Sequence, residues 1–370
     1  MFPVITVSGS AHERGRQYGV QARTRIRRSL AEYAGVFQHY ASWDWARTTV
    51  EAERFVPAIA DFAPECLEEM AGTAAGADVD LADILAVNVR TEIMYSARIR
   101  AAAPVRVPPA PGECSAFASS VPGRNVVVGQ NWDWLPFAHD TVVVLQSVPD
   151  EGPAFVTVVE AGLVAKFGLN SAGLAVMTNA MACTEDVGDA AVPYHVLLRA
   201  LLACGSTGEA LARLGEATRA SSANYLLVDE SGSAVNVEAR PGDASTLHRL
   251  EPDERGVLLH TNHFCSPKFD STDLADLVPS TSRFRLERVA DVVASAAGGG
   301  DVATYFAALS DHEQFPDSVC RHPDPVLPAA EQTATVASAI VDLTERRVWL
   351  SEGQPCLAGY QELDCSSIWS

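Results

Sequence analysis

The stretch PGECSAFASSVPGRNVVVGQNWDW, residues 111–134, divides the chain into two textures. Upstream, residues 101–112 read AAAPVRVPPAPG. Four prolines and a glycine there cannot continue a helix or fill a central strand, because proline lacks the backbone donor and fixes its own φ. From Cys114 onward the pattern becomes strand upon strand, with apolar and β-branched runs at 125–129, 141–148, 154–160, 164–169 and 174–178. NSAG, residues 170–173, supplies a hairpin turn between two of them.

Outward from that boundary, the first hundred residues read mostly as helix after a short strand at 2–7. A polar helix over 13–33 would bury Tyr18, Val20, Ile26, Leu30 and Tyr33, and further helices are expected over 55–74 and 81–90. Downstream, helices are predicted at 194–203 and 208–217, the second opened by Ser206 and Glu209 in capping-box spacing. Two hairpins, at 225–239 and 334–352, flank a long amphipathic helix over 282–297. Antiparallel strands in runs separated by helix pairs predict an α+β protein, sheets covered by helices, and not a doubly wound parallel sheet.

The 370 residues are 48% hydrophobic and 20% charged, enough apolar material for one large core. A net charge of −20 excludes a general nucleic-acid surface, since phosphate binding needs Lys and Arg, and points to small-molecule partners. The start MFPVITVSGSAHERG lacks the apolar run of a secretory signal, and no stretch approaches the roughly 20 apolar residues of a membrane span. No membrane contact and a cytoplasmic location are therefore expected. The eight cysteines, scattered from Cys66 to Cys365 without a CxxC pair, read as reduced thiols, and no metal or cofactor is expected.

Four features carry chemistry. Cys114 stands at a loop-to-strand boundary, where a thiol can be exposed, although a single cysteine also serves as a small core residue. GQNWDW, residues 129–134, ends a strand with Asn131 and Asp133 between Trp132 and Trp134; turn capping and packing would explain the same residues. ASSANYLLVDESG, residues 220–232, puts Asn224 beneath small neighbours that leave room for a ligand. PSTSRFRLERV, residues 279–289, places Arg283 in the first turn of a helix, where the dipole disfavours a cation.

In this order the four resemble the peptidase C45 family, typified by acyl-CoA:isopenicillin N acyltransferase, within the N-terminal-nucleophile (Ntn) hydrolase superfamily. HERGRQYG (12–19), ILAVNVRTEI (84–93), KFGLNSAGLAVMTNA (166–180) and HTNHF (260–264) extend the resemblance over most of the chain. Bile salt hydrolases and penicillin V acylases resemble it only in the Cys, Asp, Asn, Arg layout. The resemblance implies a four-layer αββα sandwich and self-cleavage between Glu113 and Cys114. Residues 1–113 would then be a helical subunit remaining associated with the catalytic residues 114–370. By position, Cys114 matches the nucleophile, Asp133 the aspartate near its new amine, Asn224 the oxyanion-hole residue and Arg283 the active-site arginine. Trp132, Trp134, Asn179 and His263 are the expected substrate contacts. One departure is Glu113, where the family often has glycine before the cysteine.

The chemistry suits these residue types. A thiol of pKa about 8.5 beside its own α-amine of pKa about 7.7–8.0 holds nucleophile and base in one residue. In the uncut chain that nitrogen is an amide and cannot accept a proton. The expected activity is hydrolysis or transfer of the acyl group of a small amide or thioester, with a coenzyme A thioester allowed as donor and no bound cofactor. Alternatives left open are an uncut, silent binding protein, a thiol protease pairing Cys114 with His263 or His260, and zinc ligation by His260, His263 and Cys265.

Overall fold

The computed structural model describes residues 1–101, 114–275, 280–297 and 302–369, with the side chains of 98–101 and 294–297 excluded. The proline-rich linker and Glu113 lie outside the described residues, as does the peptide bond expected to be cut. The first segment runs β1 (Val4–Gly9), α1 (Ala11–Ala41), α2 (Trp45–Glu53), α3 (Val56–Phe62), α4 (Pro64–Ala77), α5 (Leu81–Asn88) and α6 (Arg90–Ala101). Then follow β2 (Ser115–Ser119), β3 (Val127–Trp134), β4 (Val142–Pro149), β5 (Phe155–Glu160), β6 (Phe167–Asn170) and β7 (Leu174–Ala180). After α7 (Tyr194–Leu201) and α8 (Thr207–Glu216) come β8 (Ala223–Asp229), β9 (Ala234–Ala239), β10 (Leu247–Leu250) and β11 (Val257–His260). The chain closes with α9 (Ser282–Ala297), α10 (Val302–Leu309), β12 (Ala334–Asp342), β13 (Arg347–Glu352), α11 (Pro355–Ala358) and β14 (Gln361–Leu363).

Two sheets stack face to face. One has eight strands in the order β1-β4-β5-β6-β7-β8-β9-β10, the other six in the order β11-β2-β3-β12-β13-β14. All neighbours are antiparallel except β1 and β4. The first-segment helices and α7 cover the larger sheet, and α9 and α10 cover the smaller, giving four αββα layers. Strands β3 and β12 are buried on both faces because each lies between a sheet and a helix layer.

Local rules explain the helices. The Ser10 hydroxyl accepts from the Glu13 amide to open α1, and Ser42, in the left-handed region, ends it. Its buried side follows Tyr18, Ala22, Ile26, Ser29 and Tyr33, a 3.6-residue phase that excludes Val20. Val20 is therefore exposed, contrary to the expectation from sequence. The helix expected over 55–74 divides where Pro64 takes the first position of α4, a place that needs no backbone donor. HERGRQYG has a packing role: a Cβ on Gly15 or Gly19 would meet the backbone of α4 at 2.0 and 2.2 Å, and one on Gly72 or Gly76 would meet α1 at the same distances. The two helices thus touch backbone to backbone.

The first segment is joined to the rest through buried charge. Glu160 of β5 pairs with Arg90, and its Oε1 accepts from the Tyr33 hydroxyl at 2.9 Å. Glu69 of α4 pairs with Arg14 and accepts two bonds from Arg199 of α7, at 2.9 and 2.8 Å. Burial pushes the Glu69 carboxyl up, but the two guanidiniums outweigh it and hold it below the ordinary range. Asn88 donates to Gly162 O at 2.9 Å and accepts from Val164 N at 3.0 Å. Among the described residues, no helix is long and apolar enough to cross a membrane.

Candidate active site

Cys114 immediately precedes β2 and is 1% exposed. The outgoing β2 and returning β3 pair with Ser115 opposite Asn131, which brings Cys114 back to the NWDW stretch. Its Sγ lies 3.9 Å from the Asp133 carbonyl oxygen. Burial pushes the thiol pKa up; the nearby Lys166 charge opposes this, as does that of Arg285.

Alternation along β3 separates two groups of side chains. Gln130 faces the larger sheet, where its carboxamide donates to Thr178 O at 2.7 Å and accepts from Thr178 N at 2.9 Å. Trp132 shares that face, packed edge-on against Phe167 and 5.9 Å from the Lys166 ammonium. Trp134 belongs to the junction with the first segment: its indole donates to the Tyr33 hydroxyl at 2.8 Å and Arg90 lies over its ring. Asn131 and Asp133 face the opposite layer. Asn131 donates to the Leu309 and Val319 carbonyls, both at 2.8 Å. The fully buried Asp133 accepts from the Thr335 hydroxyl at 2.7 Å and has Arg321 at 3.8 Å.

The guanidinium beside Cys114 is that of Arg285. Its Nη1 donates to Cys114 O at 2.8 Å and to Ser115 Oγ at 2.9 Å, and its Nη2 donates to Asn262 Oδ1 at 3.1 Å. Arg283, the residue singled out from sequence, is exposed on the same helix. Positions two apart on a helix point to nearly opposite sides, and Arg285 is in phase with the buried Val289 and Val293.

Asn224, Asn179 and Asn236 form a row across β7, β8 and β9. Both Nδ2 hydrogens of Asn224 are engaged, with Asn179 Oδ1 at 3.1 Å and Asn236 Oδ1 at 2.9 Å. Asn179 donates to His260 O at 3.3 Å and Asn236 to Leu259 O at 3.2 Å. Carbonyls only accept, so these anchors fix the orientation of all three amides.

A family model described as acyl-coenzyme A:6-aminopenicillanic acid acyl-transferase matches residues 121–356. The chain belongs to this acyltransferase family. The acyl-coenzyme A:6-aminopenicillanic-acid-acyltransferase 40 kDa form of Emericella nidulans is 25% identical over 358 residues, 95% of this chain and 92% of that protein. Among solved structures, a variant of the conjugated bile acid hydrolase from Clostridium perfringens aligns over 69% of this chain and 93% of its own, at 14% identity and a TM-score of 0.47. Penicillin V acylase from Agrobacterium tumefaciens aligns over 69% and 87%, also at 14% identity and 0.47.

In this member of the acyltransferase family the HTNHF histidines are committed elsewhere. His260 lies between Thr261 O at 2.8 Å and Glu238 Oε1 at 2.9 Å, and both ring nitrogens donate. Burial lowers its pKa, but the bonds to Cys265 and Glu238 prevail and push it up to about 10. With Nδ1 given to the Thr261 carbonyl and Nε2 to the Glu238 carboxylate, neither ring nitrogen is turned to Cys114 as a base. His263 bonds Ser282 Oγ at 2.7 Å and lies 3.8 Å from Cys265 Sγ. Burial, with the charges of His260 and Arg283, pushes its pKa down to about 4.

One group that sequence reasoning passed over is Lys166. It is 3% exposed, donates to the Tyr194 hydroxyl at 3.1 Å, and that hydroxyl bonds Thr178 Oγ1 at 2.7 Å. Burial pushes its pKa down to about 8, while Cys114 pulls it back up. A lone lysine within the buried run 163–169 was the available signal, since lysine is almost never fully buried without a reason.

Proposed function

We propose that this family member is a self-processing cysteine enzyme that transfers or hydrolyses the acyl group of a small amide or thioester through Cys114. The observation that carries this is the position of Cys114 at the head of β2, with Arg285 holding its carbonyl and Lys166 and Asp133 acting on its thiol. In processing, the Cys114 sulfur attacks the Glu113 carbonyl, the C–N bond breaks and the nitrogen leaves with a proton. Water then cleaves the thioester, giving a Glu113 carboxylate and a free Cys114 α-amine.

In turnover the amine takes the thiol proton and the thiolate attacks the substrate carbonyl. The leaving group departs with that proton and the acyl group stays on sulfur until water or an acceptor amine removes it. Asp133 holds the ammonium, and Arg285 fixes the strand end on which it sits. Asn224 stabilises the oxyanion by exchanging its longer bond, that to Asn179, for the developing charge; such a donor is worth roughly 3 kcal/mol. A coenzyme A thioester or a small N-acyl compound is the donor, and Trp132 and Asn179 are its expected contacts on the side facing the larger sheet.

Intact mass spectrometry of the enzyme after exposure to separate panels of N-acyl amides and acyl-coenzyme A thioesters tests this. A 257-residue fragment beginning CSAFASS should carry the acyl mass. A single chain without adduct under both panels would refute the proposal and favour a binding protein.

Lys166 has a separate expected effect. Its ammonium lowers the Cys114 pKa, so Lys166→Met should move the thiol titration to higher pH and slow iodoacetamide alkylation at neutral pH. Alkylation rates across pH measure this. An unchanged profile would remove Lys166 from the mechanism.

A further inference from the structure

Outside the Cys114 site, four soft donor atoms from separate parts of the chain converge. His312 follows α10, Cys320 and His322 lie in the segment leading to β12, and Cys356 is in α11. Cys320 Sγ is 3.6 Å from Cys356 Sγ, and His322 Nε2 is 3.8 and 3.3 Å from those two sulfurs. His312 Nε2 is 3.2 Å from His322 Nε2. All four ligand atoms lie within 4.8 Å of one another.

These spacings have a simple chemical meaning. A tetrahedral zinc ion with Zn–S of about 2.3 Å and Zn–N of about 2.0–2.1 Å sets its S···S edge at about 3.8 Å, S···N at about 3.5 Å and N···N at about 3.4 Å. Four of the six edges, all but the two from His312 to the sulfurs, fall within about 0.3 Å of these values. Hydrogen bonding is a poorer explanation, because thiols are weak donors and the single hydrogen or lone pair on His322 Nε2 can serve only one of the three atoms crowded against it. Two thiolates and two imidazoles also exclude calcium and magnesium, which take oxygen ligands.

We propose that His312, Cys320, His322 and Cys356 bind one zinc ion. Four protein ligands leave no open position, so the ion is structural. Its effect reaches the catalytic layer through Arg321, which lies between two ligands. The Arg321 backbone N–H donates to Thr335 Oγ1 at 2.9 Å, and that hydroxyl donates to Asp133 Oδ1 at 2.7 Å. The Arg321 guanidinium donates to Thr281 Oγ1 at 3.1 Å and pairs with Asp317. Zinc thus fixes the strap that holds the partners of Asp133, and does no chemistry on substrate.

The test is metal analysis of the full-length protein purified without chelator. Native protein should hold about one zinc per chain, and cobalt(II) exchanged into it should give the intense visible bands and thiolate charge-transfer of a tetrahedral site. Cys356→Ser and His312→Ala alter exposed ligands, so the fold, checked by circular dichroism, should persist. Each should lower zinc retention after dialysis about tenfold or more and abolish the cobalt spectrum. Absence of zinc together with no cobalt spectrum would overturn the proposal. So would cobalt bands unchanged in both variants, or a native mass short by two hydrogens that reduction restores, which would show a Cys320–Cys356 disulfide.

Discussion

Cys114→Ala is expected to leave one 370-residue chain on a denaturing gel and to reduce turnover by about 10³-fold or more. In the proposed mechanism alanine removes the sulfur that attacks the Glu113 carbonyl, so the amide nitrogen would never be freed as a base. One substitution should thereby disable both reactions. His263→Ala is the control: its imidazole is bonded to Ser282 and held neutral, so fragments of 113 and 257 residues should still appear. Fragments from the alanine variant at 114, or their loss on changing His263 alone, would reverse the assignment of nucleophile and base.

Glu160→Ala should cost about 3–5 kcal/mol, because it leaves the buried Arg90 guanidinium without its carboxylate and Tyr33 without its acceptor. In a protein of this size that corresponds to a fall in Tm of about 4–6 °C. The double variant Glu160→Leu with Arg90→Met removes both charges and should recover much of the loss. Thermal unfolding by calorimetry separates the cases. Equal losses in single and double variants would mean that the pair contributes only packing.

The fold was legible where the signals are local. The helix over 282–297 and the Ser206 cap follow from periodicity and spacing, and both stand as expected. The extent of β3 was not: NWDW looks like a turn until β12 supplies the ladder on its far side, and that pairing spans some two hundred residues. Asp133 was singled out at a strand end between two tryptophans and Asn224 by its small neighbours, and the structure buries both side chains fully. The arginine bonded to the Cys114 carbonyl is Arg285, two positions from the expected Arg283: helix-dipole reasoning ignores phase, whereas the spacing to Val289 and Val293 puts Arg285 on the buried side. The Cys320 cluster gave no sequence signal, since its ligands span 44 residues and come together only through α11.

The seating of β1 beside β4 has a practical consequence. If the chain is severed before Cys114, the departing end remains stitched into the eight-stranded sheet and fastened by Glu69 and Glu160, so it cannot diffuse away without denaturation. Gel filtration would return the same hydrodynamic radius for mature and immature molecules. Only methods that first dissolve the fold can count the pieces.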